Sequence, residues 1–518
     1  MKGHTKSKSG EEGKVEQEEK TTPPLDHAQV SIESNPSRSV DSRGAGPETL
    51  ESQKLVSKMD WYVMPLLVAV FAFLSLDRNV LGYSAVFGLQ KGLHLTSDDF
   101  SWTSSIFFFG HLIGLPFHSR LVQRFQKRLG TYISLIILSW GVIVSLTAVC
   151  RNRAGLFSNR FFLGFIEAAM FPASILIYSI WYTRKEQALR SAFVAMGQPI
   201  GTIVGGLLGR GIGELGNTKV ETWKLFYIIF GSVTFLFGIV CILFLPNHPC
   251  NSKFLEEDER SMVIERVKGN LDSNQVDWKW DQFWEFFKDP QTYLLFPIFL
   301  LNTVASIAAS TFGSLVVNSF GFSALQTTVL SSVPVGLIQI AILAGTGFWA
   351  SRSKHQIRLL LSAACNALSL AGSVLMRQLP EEDKVAKLMG FYLTSIHQGS
   401  SALAISLVAS NFSGSAKKTT AATAMSVAYS AGAIAGPKFF NSDQRPMYTT
   451  AFTMLVVTSS SLVVLPLMLR VWYMRENSRR NRLFRKPDAD VAKVGGLETE
   501  GEEDLTDFQR EREFRYVM

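Results

Sequence analysis

Cysteine is scarce in this chain: there are four in 518 residues, Cys150, Cys241, Cys250 and Cys365, and none has the spacing of a metal or redox motif. Cys150, Cys241 and Cys365 lie in or at the ends of apolar runs, where a cysteine behaves as a small apolar side chain. Charge is thin as well, at 18% of residues, and gathers in the two ends of the sequence and in short loops. The balance is positive, +8, but the basic residues flank apolar stretches, which is a membrane pattern and not a nucleic-acid one. The sequence has no Walker loop, no metal cluster and no nucleophile elbow, so nothing supports a primary pump or an enzyme, and no catalytic residue, metal or cofactor is expected. Nor is there a cleavable signal peptide, because the first 50 residues are polar.

What the chain has in abundance is long apolar runs. Hydrophobic residues make up 47% of it, arranged in repeated stretches of about 20, the length that crosses a bilayer as a helix. The runs fall at 61–84, 100–121, 130–150, 155–181, 188–210 and 223–246, then at 291–317, 326–350, 357–376, 387–410, 419–440 and 448–473. The expectation is an all-α integral membrane protein of twelve transmembrane helices in two six-helix halves, the pattern of a duplicated transporter bundle. Its parts would be a disordered tail at 1–58, too poor in apolar residues to fold, a first bundle at 59–246, a central loop at 247–290, a second bundle at 291–473 and a tail at 474–518. Within the central loop, Glu256 to Glu259 precede Met262, Val263 and Val267, which predicts an amphipathic helix lying at the membrane surface. Trp278, Trp280, Phe283 and Trp284 follow, as aromatics do at an interface.

Basic residues mark one side: Arg120, Arg124, Lys127 and Arg128 after the second run, Arg184, Lys185 and Arg190 after the fourth, Arg352, Lys354 and Arg358 after the eighth, and Lys417 and Lys418 after the tenth. By the positive-inside rule that side, with both termini, is cytoplasmic.

Ionisable residues inside apolar runs carry the most information, since a charge at the bilayer centre costs roughly 2.5–3.5 kcal/mol on insertion scales and normally faces a bundle interior or a watery cavity. In the fourth run Arg160, Gly164 and Glu167 share one helical face, with Glu167 near mid-span. This face is either a structural Arg–Glu network or a coupling site in a transporter; the rest of the chain favours the second. In the first run Asp77 and Arg78 are adjacent, so they point about 100° apart and each calls for a partner on another helix, or a ligand. Arg78 is suited to clamp a carboxylate through its planar fork, or to lock helices in a salt bridge. His111, mid-span in the second run, is either a proton relay or a satisfied core histidine; Asn302, His397 and Gln398 are polar groups near mid-membrane that serve either a substrate or helix packing, and Tyr429 is a candidate cavity aromatic. Gly197, Pro199, Gly201, Gly205 and Gly206 give the fifth run a tight, bendable helix.

Taken together, several motifs resemble the major facilitator superfamily and, within it, the fungal anion:cation symporter branch, the allantoate permease family. They are Leu76-Asp77-Arg78-Asn79, RFFLGFIEAAMFP from Arg160, WKLFYIIFGSVTFLFGIVCILFLPNHP from Trp223, KDPQTYLL, and KKTTAATAMSVAYSAGAIAGPKFF followed by Asp443, Arg445-Pro446 and Tyr448 to Ala451. The resemblance covers about residues 55 to 475. It implies alternating access with proton-driven uptake of small organic anions such as allantoate, nicotinate, pantothenate or biotin, and it links Arg160 and Gly164 to proton coupling. The chain departs from the superfamily pattern where GLPFHSRLVQRFQKRLG lacks an Asp and where Ser351 stands at the equivalent place after the eighth run. The fifth run only partly matches the antiporter signature.

The sequence therefore predicts a monomeric, multi-pass plasma-membrane symporter. Glu167, Arg160 and Asp77 would serve proton coupling, and Arg78, His111, Asn302, His397, Gln398 and Tyr429 would bind substrate. Its partners would be a small organic anion, protons and the lipid bilayer, and no nucleic acid. The alternative is a proton-driven exporter of a secondary metabolite.

Overall fold

The computed structural model describes residues 50–215, 219–272, 279–353, 357–380, 382–440, 444, 448–485, 505–511 and 514–518. Residues 1–49, Trp278, Lys354, Asp443, Arg445 and Pro446, named above, lie outside them. The described residues are helical, with no strand among them. The first half comprises α1 (Leu50–Val86), α2 (Ser97–Arg124), α3 (Leu129–Leu146), α4 (Arg153–Glu167), α5 (Met170–Trp181), α6 (Arg184–Ala195), α7 (Gly197–Glu214) and α8 (Thr222–Phe244). Two helices of the connecting loop follow, α9 (Glu257–Asp272) and α10 (Trp280–Lys288). The second half comprises α11 (Pro290–Ser319), α12 (Ala324–Leu330), α13 (Val333–Arg352), α14 (Arg358–Gln378), α15 (Lys384–Thr394), α16 (Gln398–Asn411), α17 (Ser415–Ala435) and α18 (Thr449–Arg485). The pairs α4/α5, α6/α7, α12/α13 and α15/α16 are each one crossing interrupted near its middle or end.

Local chemistry sets the helix starts. Thr96 and Asp99 close a capping box on α2, as Ser323 and Gln326 do on α12. Asn152 accepts from the Gly155 amide to cap α4, and Asp289 with Pro290 opens α11. Each supplies an acceptor to amides that have no partner within the helix.

Among the described residues, nine helical stretches are long and apolar enough to cross a membrane. The three further crossings of the sequence pattern are more polar or interrupted. In α2 stand His111 and His118, α17 opens with two lysines and runs on in Ala, Ser and Thr, and α15 and α16 are separated by a tight turn at Ser395–His397. Large apolar side chains such as Leu135, Phe162, Leu236, Leu243, Leu337 and Val457 point outward, the surface that a bilayer would cover.

The two halves share a core at one end only. A continuous cluster of buried side chains runs through the first half and takes in Phe312, Leu315, Phe320, Phe440 and Tyr448 of the second, at the end away from the connecting loop. At the loop end the second half has a separate core around Phe286, Leu295, Phe412, Leu469 and Tyr473. Ties between the halves also lie at the far end: Ser101 Oγ donates to the Phe440 carbonyl at 3.2 Å, Lys438 pairs with Asp98 at 2.8 Å, and the Tyr83 and Ser332 hydroxyls are 2.7 Å apart.

Three features differ from the sequence reading. The expected tail at 1–58 ends sooner, because α1 begins at Leu50 and Leu55 is buried in the first half's core. The apolar side of α9 packs on protein and not on lipid: Val263 and Val267 are buried, and Val263 joins Leu255 in the first half's core, with α5 as a neighbour. The last helix does not stop at 473 but continues to Arg485, and residues 505–511 and 514–518 fold back onto the second half.

Candidate functional site

Arg78 sits in the interior of α1, and the side chains around it come from both halves. Its Nε and Nη2 both donate to one oxygen of Glu167, Oε1, at 3.2 and 2.8 Å. Its Nη1 donates to the Tyr429 hydroxyl at 3.1 Å. Glu167 is the last residue of α4, at the break before α5, and Tyr429 lies in α17. One guanidinium thus joins two helices of the first half to one of the second. The Arg78 side chain keeps 24% of its surface accessible, against 1% for Glu167. Glu167 Oε2 is buried without a hydrogen-bond partner.

Two further buried charges, Asp77 and Arg160, line the same cavity as Arg78. Asp77 Oδ2 accepts from Trp140 Nε1 at 3.2 Å, whereas Oδ1 is buried and unpartnered. Arg160 Nη2 donates to the Tyr227 hydroxyl at 2.8 Å, which is in turn 2.9 Å from Ser84 Oγ; Arg160 Nε is buried and unpartnered. Asp77, Arg78 and Arg160 line one small cavity together with Thr103, Ser104 and Thr311. Its free volume of about 20 Å³ is enough for roughly one water.

Close helix approach makes this possible. A Cβ on Gly164 would run into the Phe107 carbonyl, and one on Gly110 into the Phe161 carbonyl, so α2 and α4 touch backbone to backbone through two reciprocal glycines. That contact carries Arg160 and Glu167 inward.

The structure brings Asp77, Arg78, Arg160, Glu167 and Tyr429 into one neighbourhood. His111 lies at its edge, buried with Nδ1 unpartnered, beside Phe108, whose ring packs edge-on against Tyr429. Asn302, His397 and Gln398 do not line the cavity. Asn302 donates to the Ile298 carbonyl and accepts from Ser401, tying α11 to α16. His397 Nδ1 is 2.7 Å from the Thr394 carbonyl, and Gln398 is half-buried at the start of α16. Sequence reasoning missed Trp140, Tyr227 and Ser84. Trp140 and Tyr227 stand in apolar runs where an aromatic carries no mark of its own; the one available signal was that buried indole and phenol groups seek a polar partner.

The sequence profile of the Major Facilitator Superfamily matches residues 67–437. The chain belongs to that superfamily. A Schizosaccharomyces pombe uncharacterized transporter is 30% identical over 90% of this chain and 87% of its own length. The allantoate permease and the thiamine pathway transporter of Saccharomyces cerevisiae are each 28% identical, over 90% of this chain, covering 87% and 86% of their own lengths. Among solved structures, a bacterial homolog of the human lysosomal transporter Spinster, inward-facing and unoccupied, superposes with a TM-score of 0.60 at 16% identity, covering 81% of this chain and 97% of that one. This member of the superfamily is a multi-pass membrane transporter, similar to the fungal branch that contains the allantoate permease.

Proposed function

We propose that this transporter takes up a small organic anion together with protons, by alternating access, at the plasma membrane with both termini in the cytoplasm. The observation that carries the reading is the Arg78–Glu167 pair. Two donors of the guanidinium converge on a single carboxylate oxygen, in the place where the carboxylate of a substrate would bind. Glu167 is thus an internal stand-in for the anion. A proton on Glu167, at the oxygen left without a partner, removes its charge and frees Arg78 to take the substrate carboxylate on both oxygens. When the substrate leaves, Glu167 loses its proton and returns to Arg78. Asp77 modulates the arginine from the other side of the helix, and Arg160 holds compensating charge beside the cavity. Tyr429 adds a hydrogen bond from the second half, so closure around substrate is felt by both halves. The allantoate permease, a relative named for a carboxylate, supports an acid as cargo. The separate cores at the loop end and the shared core at the opposite end support an inward-facing state.

The test is uptake by yeast cells expressing the chain, with labelled allantoate, nicotinate, pantothenate, biotin and cysteine at pH 5 and pH 7, with and without a protonophore. Accumulation of one acid, stronger at pH 5 and abolished by the protonophore, is the expected result. Glu167→Gln should abolish accumulation while leaving exchange of the same acid intact. Accumulation driven by pH that survives Glu167→Gln removes the proton role from this residue.

A further inference from the structure

Residues 505–511 and 514–518 are fitted against the second half. Lys417, at the start of α17, has no exposed side-chain surface, and its ammonium contacts three carboxylates: Glu285 of α10 at 2.9 Å, Asp289 at the cap of α11 at 2.9 Å, and Asp507 at 2.7 Å. A lysine has three N–H donors, so the set is complete only when Asp507 is docked. Burial alone pushes the Lys417 pKa down, and Asp289 and Asp507 outweigh it and hold it above its usual value; burial raises Asp289.

The segment is fixed at further points along its length. Asp507 Oδ2 accepts from the Tyr516 hydroxyl at 2.7 Å, which accepts from Arg480 Nη2 at 2.9 Å. The Tyr516 amide and carbonyl pair with the Asn477 side chain at 2.9 Å each, and those of Val517 pair with the Asn411 side chain at 2.7 and 2.9 Å. The Arg358 amide at the start of α14 donates to the Met518 carbonyl at 3.0 Å. One short segment thus reaches α10, α14, α17, α18 and the end of α16.

We infer that residues 505–511 and 514–518 are a brace that anchors the first turn of α17 to α10, with Lys417 as its charged centre, and that one negative charge at Thr506 releases it. Thr506 is fully buried, and its hydroxyl donates to Glu285 Oε2 at 2.9 Å. Three carboxylates already surround Lys417, and Arg480 is engaged by Glu476 and Tyr516. An added anion at Thr506, such as a phosphate, therefore replaces a hydroxyl that donates to Glu285 with a charge that repels it and the neighbouring Asp507. Because α17 carries Tyr429, loosening its anchored end loosens the arm that reaches Arg78; this last link rests on the transport reading, and the brace itself does not.

Hydrogen–deuterium exchange on the full chain in nanodiscs tests the brace without any substrate. In the wild type the amides of Tyr516 and Val517 are expected to exchange at least tenfold more slowly than in Thr506→Glu, and the peptide covering 415–420 is expected to speed up in the same variant. Thr506→Ser, which keeps the hydroxyl, should restore both. Free-peptide exchange at Tyr516 and Val517 in the wild type overturns the brace, and equal protection in Thr506→Glu overturns its release by charge. Release of 505–518 with no change at 415–420 overturns its anchoring of α17.

Discussion

Arg78 meets Glu167 with two nitrogens on one oxygen, and Tyr429 with a third. A lysine at 78 keeps the charge but not the planar fork, so Arg78→Lys loses at least one charge-assisted hydrogen bond. Such bonds contribute about 1.5–3 kcal/mol, and the apparent KM for uptake should rise roughly 10- to 150-fold with the protein still at the cell surface. An unchanged KM would take the clamp role from Arg78. The sequence showed that Asp77, Arg78 and Glu167 were out of place in apolar helices, since a charge in an apolar run stands out on its own. It could not show that Arg78 and Glu167 belong to each other, because they are 89 residues apart and no local spacing encodes a contact between helices. The shared face of Arg160 and Glu167 was legible from helical periodicity, but their partners were not: Glu167 pairs with Arg78, and Arg160 turns to Tyr227.

At the scale of elements, the reciprocal glycines of α2 and α4 set how far Glu167 reaches inward. Gly164→Leu must push α4 off the Phe107 carbonyl, and overpacking of this kind costs about 1–3 kcal/mol or more. The expected outcome is a lowered melting temperature in detergent and loss of uptake, with Gly155→Ala as a control that meets no tighter contact than the Asn152 side chain at 3.3 Å. The connecting helix α9 makes a pH prediction. Lys58 holds Glu259 at 2.6 Å and Arg266 holds Glu186 at 2.6 Å. Lys58 pulls Glu259 below its usual range; at Glu186 burial works in the opposite sense, and the Thr183 amide and Arg266 prevail to lower it too. A carboxylate with a lowered folded pKa contributes stability above its unfolded value, 4.5 here, and loses it as pH falls through the folded value. A nitroxide on Glu257→Cys should therefore gain mobility as pH drops below 4.5, and the Glu259→Gln variant should be mobile at neutral pH. Nine crossings were legible among the described residues because apolar length is a strong signal. The packing of α9 on protein was not, because an amphipathic pattern reads the same whether its apolar side meets lipid or a neighbouring helix.

For the whole molecule, the decisive asymmetry is one shared core at the end away from the connecting loop and two separate cores at the loop end. Alternating access requires the shared end to come apart. With the native cysteines replaced, Asp98→Cys and Lys438→Cys, whose parent side chains are 2.8 Å apart, should be joined by a short cleavable thiol crosslinker. Uptake should stop on crosslinking and return on cleavage; uptake that continues while the halves are linked excludes opening at that end. The interior charges carry one more consequence. Asp77 and Glu167, both ionised as the proposed empty state requires, balance Arg78 and Arg160, so these four groups together carry no net charge in that state. On the proposed cycle these groups make the return stroke of the empty carrier electrically silent, and voltage acts only on the loaded stroke. A monovalent acid travelling with one proton would leave that stroke silent too. A second proton would make it carry one charge, worth about 2.3 kcal/mol per 100 mV, and the number of protons could then be counted as a current.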